Sequence, residues 1–158
     1  MPYLMRKAAV PVVSMLGRFF PRMKVHQRSD ATYARSLARK LGGEWDYNRQ
    51  WKPDIMPDPD AAWVRAIDRG QRRLMRHASN VKVPVLLLHS DSTARQGDPD
   101  EKFRRADAIL DVALIAARGR RLGDRVTEVT VSGGLHDLSL SSLPVREFFF
   151  RVILDWLA

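Results

Sequence analysis

Hydrophobic positions follow two regimes along this chain. From Tyr3 to about residue 80 they recur at helical spacing or sit among turn residues; beyond it, short continuous apolar runs appear. Tyr3 to Phe20 reads as an apolar helix with basic flanks, which Pro11 interrupts because its ring removes a backbone bond and disfavours helix at Val10. Asp30 is expected to cap a helix from Ala31 to about Leu41, ended by Gly42-Gly43. Residues 44–60 have loop chemistry around two aromatics that call for burial, Trp45 and Trp51. Asp60 then caps a helix with Trp63, Ile67 and Leu74 near one face and Arg65, Arg69, Arg72, Arg73 and Arg76 on the basic faces.

The second regime opens with Val83-Pro84-Val85-Leu86-Leu87-Leu88, a pattern predicting a parallel strand buried on both faces. Residues 90–106 read as a polar connection, Asp107 to about Arg121 as a helix, and Val126 to Val131 as a second strand that Gly133-Gly134 ends. Pro144 to Leu157 is a closing helix expected to turn Phe148, Phe149, Val152, Ile153 and Trp156 inward. Strand, crossover helix and strand make one right-handed βαβ unit. Two parallel strands alone leave a bare pairing edge. Either residues 1–80 cover it, or the sheet continues in polypeptide outside this sequence.

Composition narrows the class. A chain of 158 residues with 45% hydrophobic and 28% charged residues suits one domain burying roughly 70% of its unfolded surface. The formal net charge of +9 is concentrated in residues 1–80, with 16 Lys/Arg and 7 Asp/Glu, whereas residues 81–158 hold 11 of each. Such asymmetry fits a membrane-surface or nucleic-acid contact, or merely an Arg-rich solvated face; no aromatic–basic stripe of a nucleic-acid module accompanies it. The absence of Cys excludes a disulfide framework, a thiol nucleophile and Cys-based metal sites, and four scattered His residues do not build a metal site. No cofactor or metal is expected. Met5-Arg6-Lys7 followed by Ala8 to Gly17 imitates a signal peptide, but Arg18 closes the apolar core and no small-residue cleavage site follows. A cytoplasmic, soluble protein is the expectation. Residues 3–24 suit an amphipathic segment that docks on the protein or on lipid.

One histidine has special context. His136 follows a strand and a glycine pair in Ser132-Gly133-Gly134-Leu135-His136-Asp137-Leu138, placing it where open α/β sheets bind ligands. His26 and His77 lie in basic surroundings, and His89 ends the first strand. Asp107-Ala108-Ile109-Leu110-Asp111-Val112 heads the crossover helix.

In this order the chain resembles the C-terminal part of the α/β-hydrolase fold, in the serine-aminopeptidase-like and monoacylglycerol-lipase-like branch. The resemblance is carried by Gly43-Glu44-Trp45-Asp46-Tyr47 with Trp51-Lys52-Pro53, Val83-Pro84-Val85-Leu86, Asp107 to Val112, and Gly134-Leu135-His136-Asp137-Leu138 with Leu140-Ser141. It implies an α/β fold in which residues 1–80 form a helical cap and residues 81–158 a βαβα part of the hydrolase core. It further implies that His136 is the general base and then acid, and that Asp107 orients it. Asp91 and Asp111 are rivals for the acid; Asp137, next to His136, is expected to point elsewhere or anchor the loop.

The family's nucleophile sits on a strained Gly-x-Ser-x-Gly turn. None of the ten serines here lies in that motif, and the oxyanion loop is also absent. By resemblance, Met1-Pro2-Tyr3 falls just past the family's sixth strand. The expectation is therefore the cap and His/Asp half of a serine hydrolase for carboxylic esters, acyl lipids or similar apolar esters, inactive without its nucleophile half. The alternatives are a non-enzymatic basic module for anionic lipid or nucleic acid, and a nonfunctional fragment.

Overall fold

The computed structural model describes residues 3–26 and 31–158. Its described residues form two compact units that are not the two halves of the sequence: residues 31–55 pack with residues 79–158, while residues 3–26 pack with 56–78. The expected cap at Asp30 lies outside the described residues.

The first unit is a helix pair, α1 (Tyr3–Leu16) and α3 (Ala61–Arg76). Pro11 does not interrupt α1, contrary to expectation. A proline in a helix interior costs about 3 kcal/mol, and here α1 continues through it while packed along α3. Where the helices meet, a side chain at Gly17 would place its Cβ 2.4 Å from the carbonyl oxygen of Ala61, so only glycine allows the approach. The turn after α1 is tied to the start of α3 by Ala61 N–H to Met23 O (2.8 Å) and Ala62 N–H to Pro21 O (3.0 Å). Arg65 donates to the Ser14 carbonyl at 3.0 Å. Asp60 occupies the N-cap position, as expected, but its carboxylate makes no capping bond; it pairs with Lys24 at 2.8 Å.

The second unit holds a two-stranded parallel sheet, β1 (Val85–Ser90) beside β2 (Val126–Val131), in register from Val85↔Val126 to Ser90↔Val131. β2 has its expected bounds. β1 begins two residues later than the apolar run: Pro84 offers no N–H to a ladder, and Val83 stays exposed. Burial on both faces is also corrected, because Val85 to Leu88 are half-buried and only His89 and Ser90 are buried.

Crossover helix α5 is shorter than expected, Val112–Gly119, and Asp111 caps it by accepting from Ala113 and Leu114 N–H at 3.0 and 3.3 Å. The connection before it is not simply polar. It contains a helical turn, α4 (Asp100–Phe103), and a small core of Ala94, Phe103 and Ala106. The closing helix α6 spans Leu143–Leu157; Phe148, Phe149, Val152 and Ile153 are half-buried, but Trp156 is exposed. A sheet of two strands offers one end of this helix too little to pack on.

The segment before β1 contributes α2, Thr32–Leu37, which ends four residues before the expected Leu41. Ala38 leaves it in an extended conformation to form a parallel bridge with Trp45, through Trp45 N–H to Leu37 O and Arg39 N–H to Trp45 O, each 2.8 Å. Competition from this bridge is what stops the helix. Trp45 is half-buried as its chemistry requires, whereas Trp51 is 87% exposed and not buried as expected.

Candidate functional site

The site forms where both strands end. After β1 the chain runs through Asp91 and Ser92 and pairs once more, at a parallel bridge between Thr93 and Asp107. Asp107 N–H donates to Ser92 O at 2.9 Å, and Ala94 N–H donates to Asp107 O at 2.8 Å. Asp107 therefore does not start the crossover helix, as the sequence pattern suggested; it sits in a tight loop against the β1 end. Its Oδ1 accepts the backbone N–H groups of Ile109 (2.8 Å) and Leu110 (2.7 Å). A short aspartate chain readily closes such a turn onto its own backbone. With Oδ1 so occupied and the residue 2% exposed, Oδ2 is left to one partner.

That partner is His136. Its Nδ1 lies 3.0 Å from Asp107 Oδ2. An ionised carboxylate only accepts, so Nδ1 carries the proton and neutral His136 presents a basic Nε2. Burial works to raise the Asp107 pKa, but the bonds from His136 and from the Leu110 and Ile109 amides outweigh it and hold the carboxyl below its usual range. The bond to Asp107 raises the His136 pKa, against a lowering by burial; the Asp137 charge adds to the rise and Lys52 opposes it.

The turn that presents His136 is built with care for its backbone. Gly133 adopts a left-handed φ of 70°, which a side chain would strain. Asp91 braces the same turn, accepting from Ser132 Oγ (2.9 Å) and Gly133 N–H (3.2 Å). Leu135 N–H donates to the buried Ser141 Oγ at 2.9 Å. Thus the three carboxylates weighed against one another have separate tasks: Asp107 meets His136, Asp91 holds the turn, and Asp111 caps α5.

Two further residues reach this loop from far away in sequence. Tyr33 donates its hydroxyl to Asp137 Oδ2, and its ring stands edge-on to the His136 imidazole at 6.0 Å and 80°. Lys52 Nζ lies 3.5 Å from Asp137 Oδ2 and 5.1 Å from the Tyr33 ring centroid. Burial first, and then the Asp137 bond, push the Tyr33 phenol well above its usual range, so it remains a donor. Nearby, Trp45 Nε1–H donates to Leu140 O at 2.7 Å, and the Arg146 guanidinium lies 4.7 Å over the Trp45 ring. Asp137 anchors the loop, one of the two roles expected of it. Tyr33 was not recognisable as a site residue from sequence, since nothing local to it signals a partner more than a hundred positions away.

His89 is structural. Its Nδ1 lies 2.7 Å from Ser90 O, and its Nε2 lies 3.2 Å from Glu128 Oε1 on the neighbouring strand. His26 pairs with Asp58 at the surface. Among the described residues no cluster of three His, Cys, Asp or Glu side chains is placed to hold a metal ion, and no helix is long and apolar enough to cross a membrane.

The described serines near the strand ends have other tasks. Ser90 donates to Ser92 O, Ser92 and Ser132 bond Asp91, and Ser141 receives Leu135. Among the described residues none bonds His136 Nε2.

No protein-family model matches the sequence, and no curated protein matches it either. A buried carboxylate, fixed by two amides and hydrogen-bonded to one nitrogen of a half-exposed imidazole, can orient a general base and stabilise its protonated form.

Proposed function

We propose that this chain supplies the general base and its orienting acid to a serine hydrolase of carboxylic esters, with acyl lipids or similar apolar esters as substrate. His136 takes the proton of an attacking hydroxyl through Nε2 and returns it to the leaving group. Asp107 fixes the tautomer and stabilises the imidazolium. The observation that carries this reading is the 3.0 Å approach of His136 to Asp107, with the other carboxylate oxygen already held by Ile109 and Leu110.

The hydroxyl nucleophile belongs to polypeptide outside these 158 residues. Two independent features support this. No Gly-x-Ser-x-Gly turn occurs in the sequence, and among the described residues the sheet has two strands, short of what an α/β core needs. Within this proposal the chain is the C-terminal portion of an α/β-hydrolase fold, with residues 1–80 as its cap.

The test mixes the chain with a polypeptide carrying the nucleophile half and follows p-nitrophenyl ester turnover. The expected result is negligible activity from either part alone, turnover from the mixture, and a loss of at least about a hundredfold with His136→Ala. Turnover that His136→Ala leaves intact would refute the assignment.

A further inference from the structure

Trp63, Ile67 and Leu74 share a face of α3, as their spacing suggested, but that face is not packed. They are 58%, 43% and 51% exposed. Their spacing of four and seven residues sets them in one stripe, which Gly70 continues without a side chain. The side of α3 that is less exposed carries Ala61, Val64, Asp68 and Met75 instead. The turn after α1, which is tied to the start of α3, adds exposed Phe19 and Phe20.

Charge is distributed as unevenly as apolar surface. The unit formed by residues 1–29 and 56–78 holds 11 Lys/Arg and 3 Asp/Glu, so nearly all of the chain's net charge of +9 resides there. On α3, Arg65 is engaged with the Ser14 carbonyl and Arg72 with Asp68 at 2.9 Å. Arg76 bonds the Arg72 carbonyl and pairs with no carboxylate among the described residues, and Arg69 and Arg73 are exposed.

We propose that α3 docks on an anionic lipid surface, its Trp63–Ile67–Leu74 stripe entering the headgroup boundary and Arg69, Arg73 and Arg76 meeting lipid phosphates. A helix with a strongly basic face and Trp, Ile and Leu on another has the composition of an interfacial helix. Charge complementarity selects the anionic surface. A nucleic acid would engage the arginines but leave the apolar stripe in water, and a neutral apolar partner would leave the charge unanswered. The proposal is independent of the hydrolase reading and shifts the lipid contact from residues 3–24 to α3.

The full chain is sedimented with phosphatidylcholine vesicles, with and without phosphatidylglycerol. Salt-sensitive binding to the anionic vesicles alone is expected, with a blue shift of tryptophan emission that Trp63→Phe removes. Since each basic residue near such a surface is worth about a fivefold change, R69Q/R73Q/R76Q should weaken binding about a hundredfold. W63S/I67S/L74S should weaken it at least about tenfold. All six side chains are exposed, so circular dichroism and melting should match the parent chain. Equal binding to neutral vesicles, or anionic binding that the serine variant leaves intact, overturns the proposal. So does an absence of vesicle binding accompanied by DNA binding, or by a dimer that the serine variant disperses.

Discussion

His136 Nδ1 and Asp107 Oδ2 stand 3.0 Å apart although 29 positions separate the residues. The backbone at each end is independently constrained, Asp107 by a strand bridge and two amides, His136 by a glycine turn that Asp91 braces. The contact is therefore set by the fold on both sides.

Its titration has a definite sign. The His136 pKa is raised and the Asp107 pKa lowered. The stability from the charged pair is present between the ordinary values of about 3.9 for Asp and about 6.5 for His. It is lost as pH rises through the elevated His136 value, and as pH falls through the depressed Asp107 value. NMR titration should show His136 above an ordinary histidine, and Asp107→Asn should lower it; an unmoved midpoint would remove Asp107 from its role.

Asp91→Ala should separate the two carboxylates experimentally. Loss of the bonds from Ser132 and Gly133 should cost about 1–2 kcal/mol of stability. The His136 midpoint should move much less than in Asp107→Asn, because Asp91 touches the turn and not the imidazole.

Tyr33→Phe removes the hydroxyl that holds Asp137 while keeping the ring beside His136. A loss of about 1.5 kcal/mol is expected in chemical denaturation, as for a hydrogen bond to a charged group. Exchange broadening at His136 should increase. A variant as stable as the parent, with an unchanged His136 signal, would show that the Asp137 anchor does not constrain the loop.

Phe103→Ala empties the small cluster with Ala94 and Ala106, on the segment that leads into Asp107. The expected cost is about 3 kcal/mol. The Asp107–His136 contact should loosen with it, so the His136 midpoint should fall toward the ordinary value.

The Glu128 carboxyl is held down at about 2, first by Arg120 and then by His89. Because the shift is downward, its contribution is present above the ordinary Glu value and persists in acid until pH falls toward about 2. A carboxyl carbon titration checks this directly, and Glu128→Gln should lower stability at neutral pH while flattening its decline in acid.

Local chemistry was enough to read several elements. β2 was legible because a Val/Thr-rich segment ends at a glycine pair, and α3 because Asp60 and its basic periodicity bound it. The parallel strand–helix–strand order, and His136 with a short set of candidate carboxylates, were also available from pattern and resemblance. Extents failed wherever a distant contact competed with local preference. α2 stops early because Ala38 bridges Trp45, α1 runs through Pro11 while packed on α3, and Asp107 is drawn out of a helix by Thr93.

Sequence alone determined the types of element, their order and the residues able to do acid–base chemistry, because those follow from side-chain identity and near neighbours. Tertiary structure decided which carboxylate reaches the imidazole, that Tyr33 and Lys52 meet Asp137, and that the apolar stripe of α3 faces water. These depend on where remote segments pass one another, and hydrogen bonds and burial of that kind leave no periodic trace along a single chain.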